Sequence, residues 1–132
     1  MTATPYFNCL FGPVSPDPAD NELHRFYLAL EQLRQTGLRE FPLQLAVVLI
    51  YIASQDQEKG VLQEDLTEAT VLTRSSVSRN VSWLGSKNTT TGKDGLHLVY
   101  RERDPYDQKR WRIFLTPKGK HFVAQLKRIL FP

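Results

Sequence analysis

Residues 73–84 hold Arg74, Ser75, Ser76, Ser78, Arg79, Asn80 and Ser82, short hydroxyl and amide groups around two guanidinium groups. Side chains of these types recognise by hydrogen bonding: Arg donates two parallel bonds to guanine, Asn pairs with adenine, and Ser reaches bases or phosphates without bulk. A second cluster follows, in which Arg101, Arg103, Lys109, Arg110 and Arg112 surround Asp104, Pro105, Tyr106 and Asp107. Cations gathered at one turn suit phosphates or a narrow minor groove, whereas Asp104 and Asp107 suit shaping that turn.

The first cluster needs a helix to present it. Thr73 is a natural N-cap, and Val77, Val81 and Leu84 fall at i, i+4 and i+7, giving one apolar stripe. Ser75, Ser78, Arg79 and Ser82 then share another face, with Asn80 toward its edge. A helix of barely two turns over 63–69 and a turn at 70–72 precede it, which makes a helix-turn-helix. The second cluster needs a hairpin. After the polar loop 85–95, expected to be flexible, Leu96, Leu98 and Tyr100 alternate with His97, Val99 and Arg101, while Trp111, Ile113 and Leu115 alternate with Arg112, Phe114 and Thr116. The expected fold is mainly α with a small β-hairpin wing, an α+β winged helix-turn-helix. For such a helix alone, a merely solvated polar face is as good a reading. The adjoining basic hairpin favours recognition over a surface hairpin with cross-strand ion pairs.

Residues 1–16 hold Pro5, Pro13 and Pro16 among Tyr6, Phe7, Leu10 and Phe11, which suggests a packed non-helical arm ahead of one domain over 17–132. Asp17 and Pro18 offer a cap and a first helical residue, Leu23, Phe26, Tyr27, Leu30 and Leu33 recur at helical spacing, and Gly37 offers the stop. Phe41-Pro42 opens a helix apolar on nearly every face, expected to be the buried centre, and Val61-Leu62 suggests a short strand. Pro117 begins a last helix. Leu23, Phe26, Tyr27 and Leu30, with Phe122, Leu126, Ile129, Leu130 and Phe131, exceed what one small core needs and are the expected homodimer interface. For the terminal stripe, packing on a partner helix is preferred to internal packing.

A length of 132 residues, 41% hydrophobic and 23% charged, fits one globular domain. The net charge of +3 conceals a division: from Thr73 onward there are 13 Lys and Arg against 4 Asp and Glu, whereas residues 1–72 carry 4 against 10. The basic half suits a polyanion. Cys9 has no partner for an intrachain disulfide and no nearby cation to activate it, so it reads as a small hydrophobe or inert thiol. His24, His97, His121 and Cys9 lack metal-ligand spacing, and there is no phosphate-cradling glycine motif. The sequence gives no positive sign of an enzyme, a cofactor or a metal. Without an apolar run long enough to span a bilayer or a secretory signal, the expected setting is cytoplasmic and free of membrane.

Over about residues 42–126 the chain resembles the MarR family of winged-helix transcription regulators. Ser76-Val77-Ser78-Arg79 and Leu84 look like the family's recognition helix, Leu98-Val99 and Arg101 its first wing strand, and Ile113, Leu115-Thr116 and Gly119 its second strand and entry to the next helix. The spacing from Asp107 to Leu115-Thr116-x-x-Gly119 is the family's. Departures are Gln108-Lys109 where the family carries Arg-Arg, with Arg110 able to take over part of that charge. His97 stands at the usual wing-strand glycine, the 85–95 loop is longer, and the chain stops at Pro132 without a second long dimerising helix. The resemblance implies a homodimeric repressor of near-palindromic double-stranded DNA, and for some members release by a small aromatic effector. The combined expectation is a sequence-specific DNA-binding transcription regulator. Two alternatives stay open: a winged-helix module binding an acidic protein partner, and a replication or partition factor with the same DNA grip.

Overall fold

The computed structural model describes residues 20–36, 40–89 and 91–132. The chain order within them is α1 (Asn21–Arg34), α2 (Leu43–Ser54), β1 (Val61–Leu62), α3 (Gln63–Thr70), α4 (Arg74–Leu84), β2 (Val99–Arg103), β3 (Trp111–Leu115) and α5 (Pro117–Leu130). This is a winged helix-turn-helix, mainly α with a small sheet. The 1–16 arm, Asp17-Pro18 and Gly37 lie outside the described residues. The cap of α1 is Asp20, whose carboxylate accepts from the Leu23 N–H at 3.0 Å.

Leu45, Val48, Leu49 and Ile52 of α2 fall on one stripe and are fully buried against α3, α4 and β3. Burying each such side chain contributes about 1.5–3 kcal/mol. The helix expected to be the buried centre is nevertheless open along one side: Leu43 is 77% exposed, and Val47 and Ile50 are open as well. They face an apolar groove shared with Phe26 and Leu30 of α1.

In the terminal stripe the correction falls on Leu126, which is taken up by the chain's own core. α5 packs along α1 within the chain, Gln32 Nε2 donates to Gln125 Oε1 at 2.6 Å, and Leu126 is buried in the core. Phe122, Ile129 and Leu130 pack partly against that core, whereas Phe131 stays exposed. The sequence pattern could not separate an internal helix partner from an external one. On α1, Leu23, Phe26, Tyr27 and Leu30 remain exposed.

The three strands run in the order β1-β3-β2, antiparallel throughout, with Val61 opposite Ile113 and the hairpin paired from Val99–Leu115 to Arg103–Trp111. Ile113 and Leu115 point into the core as expected. On β2 the expected phase is wrong: Leu98 and Val99 are both buried and Tyr100 is exposed. The alternation holds across Leu96, His97 and Leu98 and slips between Leu98 and Val99, where the strand begins, while His97 itself takes a φ of +57°, the left-handed conformation that favours glycine. This gives the family's glycine at that place a physical reason.

The polar 85–95 loop carries main-chain pairing at its described residues. Lys87 and Asp94 form a β-bridge, and Asn88 N–H donates to the Lys93 carbonyl at 2.8 Å and Gly95 N–H to the Ser86 carbonyl at 3.0 Å. Between α3 and α4, Val71 closes the first helix at φ +56°, a strained position for a β-branched residue, and so turns the chain sharply into Thr73.

Candidate nucleic-acid interface

Helix α4 begins where Thr73 Oγ1 accepts from the Ser76 N–H at 3.1 Å, which orders the first turn and sets Arg74 and Ser75 at its exposed start. Val77, Val81 and Leu84 are buried, so the opposite face is fixed outward. Arg79 is exposed, reaching Ser76 Oγ only at 3.4 Å, while Ser76, Ser78 and Ser82 are half-buried. Asn80 is the exception among the candidate contacts. It is only 8% exposed, and its Nδ2 is buried without a partner, so it lies on the inward side of the helix and not at its outer edge.

The wing lies across from this helix, and its five cations are not equivalent. Arg101 turns inward: Nη2 donates to the Ser78 carbonyl at 2.8 Å and to Ser82 Oγ at 3.1 Å, and burial draws its pKa below the ordinary guanidinium value. It ties β2 to α4, whereas the sequence pattern grouped it with the wing cations expected to meet DNA. Arg112 is also committed, with Nε donating to Asp104 Oδ1 at 3.0 Å and Nη1 to the Lys59 carbonyl at 3.1 Å. Arg103 lies over the Trp111 ring at 3.7 Å from its centroid and donates to the Gln108 carbonyl at 3.1 Å. Arg110 Nε meets Glu64 Oε1 at 3.0 Å and Asp107 Oδ2 at 3.5 Å. Lys109 is exposed and its ammonium takes no protein partner among the described residues, so it stands ready at the wing tip.

Both acids hold the turn between the strands. Asp104 is buried; its N–H donates to the Arg110 carbonyl at 2.9 Å. Asp107 Oδ1 accepts from the Lys109 N–H at 3.1 Å, and its carbonyl accepts from the Arg110 N–H at 3.0 Å. The Arg112 hydrogen bond holds the Asp104 carboxyl below the usual aspartate range, against the opposing effect of burial and with help from the Tyr106 backbone. With the folded pKa lowered, this stabilisation of the wing is complete above the unfolded aspartate value and is lost as pH falls through the lowered value. An NMR titration should therefore show the Asp104 carboxyl and the Arg112 Nε–H changing together, on the acid side of an ordinary aspartate. A midpoint at the ordinary value would contradict the pairing.

Sequence reasoning missed two residues of this surface. Trp111 is the platform for Arg103, and the hairpin register, which sets these two opposite one another, was the signal that could have found it. Glu64 meets Arg110 from a distant point in the chain, and no periodicity announces that contact. Among the described residues, no group of three or more His, Cys, Asp and Glu could hold a metal ion, and no helix is long and apolar enough to cross a membrane.

A short helix, a strained turn, a polar-faced second helix and a hairpin bound to it define a winged-helix module of the kind that enters a DNA groove. No family model matches the sequence, and comparison with curated proteins finds no significant match. Solved structures do match. The Staphylococcus aureus MepR–DNA complex is 24% identical with a TM-score of 0.61, over 81% of this chain and 77% of that one. A MarR transcriptional regulator from Methanosarcina mazei Go1 is 23% identical with a TM-score of 0.57, over 81% and 68%. The transcriptional repressor CouR, bound to a DNA duplex, is 21% identical with a TM-score of 0.53, over 83% and 66%. These neighbours are MarR-family regulators, and the chain has their winged-helix fold.

Proposed function

We propose that this chain is a MarR-type transcription regulator that binds double-stranded DNA in a sequence-specific manner, acting as a homodimeric repressor that occludes a promoter. The observation that carries this reading is the outward face of α4, with Arg74, Ser75 and Arg79 exposed beside a wing whose tip offers Lys109. Helix α4 reads base edges in the major groove, Ser76, Ser78 and Ser82 make closer contacts along its flank, and Lys109 and Arg103 follow the phosphates or the minor groove. Two neighbours captured on DNA support the same use of the fold here. The exposed apolar row Leu23, Phe26, Tyr27 and Leu30 supports pairing of two copies. The apolar groove between α1 and α2, of about 500 Å³, is of a size for a small aromatic effector.

Two substitutions separate base reading from phosphate binding. Arg79→Ala should weaken binding to a selected site by about 1–3 kcal/mol and relax preference at one base position. Lys109→Ala should weaken all sequences alike and lower the slope of log affinity against log salt by about 0.9. Titration of each variant against selected and scrambled duplexes measures both effects. Unchanged affinity in both variants would refute the assignment.

A further inference from the structure

We propose that Glu64 sets the strength of DNA binding by holding Arg110 away from the phosphates, a role that rests on the DNA-binding reading above. A groove of about 250 Å³ runs between α3, the start of α4 and the wing, and Arg74, Lys109 and Arg110 all line it. Three cations converging beside the start of a recognition helix make a seat for a backbone phosphate. Glu64 brings the one carboxylate among the residues lining that groove. It takes the Arg110 Nε at 3.0 Å, the position a phosphate oxygen would otherwise accept from.

The pair is built to exchange. Its side chains are 49% and 47% exposed, so water and salt weaken it, and Asp107 at 3.5 Å offers the guanidinium only a longer second contact. An approaching phosphate must displace Glu64 from Arg110, so each duplex is bound more weakly and with a lower salt dependence than the count of wing cations suggests. Among the described residues Glu64 forms its ion pair with Arg110 of the wing and none with Arg74 or Arg79 of α4, so its effect is the same for every sequence.

Because the effect is independent of sequence, a labelled mixed-sequence DNA duplex is a sufficient probe. Glu64→Gln keeps the size of the side chain and removes its charge. Binding of the full chain, followed by anisotropy across a salt series, should tighten about two- to fivefold at low salt. The log–log salt slope should steepen by about 0.9 as Arg110 gains a phosphate. Glu64→Gln combined with Arg110→Ala should lose both gains, and circular dichroism of each variant checks that the fold is kept. Unchanged or weaker binding by Glu64→Gln overturns the proposal, as does a double variant that keeps the gain, because the effect would not then pass through Arg110. A failure of the unaltered chain to bind any duplex overturns the DNA-binding reading and this proposal with it, whereas normal binding with an inert Glu64→Gln removes only the proposal.

Discussion

Gly119→Ala is expected to destabilise the domain by about 3 kcal/mol or more, the opposite sign to that given by helix propensity. In an exposed helix, alanine in place of glycine gains about 1 kcal/mol. Gly119, however, is buried in the first turns of α5, where Thr116 Oγ1 caps the helix by accepting its N–H at 2.9 Å. A Cβ built there would lie 2.0 Å from the Leu98 carbonyl oxygen and 3.0 Å from its carbon. Both are backbone atoms, and the same carbonyl accepts from the Thr116 N–H at 3.0 Å, so no side chain can swing aside. Relief requires α5 to move off the start of the wing, which would also strain Thr116 Oγ1 to the His97 carbonyl and Lys118 Nζ to the Leu96 carbonyl. Urea or thermal unfolding measures the result, with a fall in midpoint on the order of 10 °C. A stabilised variant would show that α5 does not seat as described. The Leu-Thr-x-x-Gly pattern thus acquires a cause: the cap and the close approach join the last helix to the wing.

The second large effect is expected at Arg101. Arg101→Met keeps the aliphatic stem but removes the guanidinium that joins the Ser78 carbonyl and Ser82 Oγ to the wing. Hydrogen bonds from a charged donor contribute about 1.5–3 kcal/mol, so stability should fall by an amount in that range. DNA affinity should fall too, since recognition helix and wing must hold a fixed separation to enter adjacent grooves together. The diagnostic readout is the salt dependence. A residue that positions α4 without touching phosphate leaves the log–log slope unchanged in the variant, whereas a phosphate contact lowers it by about 0.9. A lowered slope with unchanged stability would make Arg101 a phosphate contact instead.

The parts of the fold that follow from side-chain periodicity are legible in the amino-acid sequence. Val77, Val81 and Leu84 define α4, Trp111, Ile113 and Leu115 define β3, and Thr73 and Pro117 mark the helix starts. What is not legible depends on backbone conformation or on contacts remote in sequence. The left-handed backbone at His97 and the change of phase after Leu98 leave no mark in the side-chain pattern, and neither do the main-chain bonds that join Ser86 to Gly95 and Asn88 to Lys93. Asn80 sits at the boundary of two helix faces, and only the packing around α4 decides which one it joins. Counting cations identifies the basic half but not where each charge is aimed. Arg101 and Arg112 turn inward and Arg110 is held by Glu64, so Arg103 and Lys109 are the wing cations best placed to face outward.

The claim that α4 and the wing recognise duplex DNA is tested most directly by selecting bound fragments from a random duplex pool with the purified chain. Affinity for the selected and scrambled sequences is then measured across a salt series. The account predicts a preference of about 10³-fold or more for the selected site and a steep loss of affinity with salt for both. Equal retention of all duplexes, or binding insensitive to salt, would contradict it.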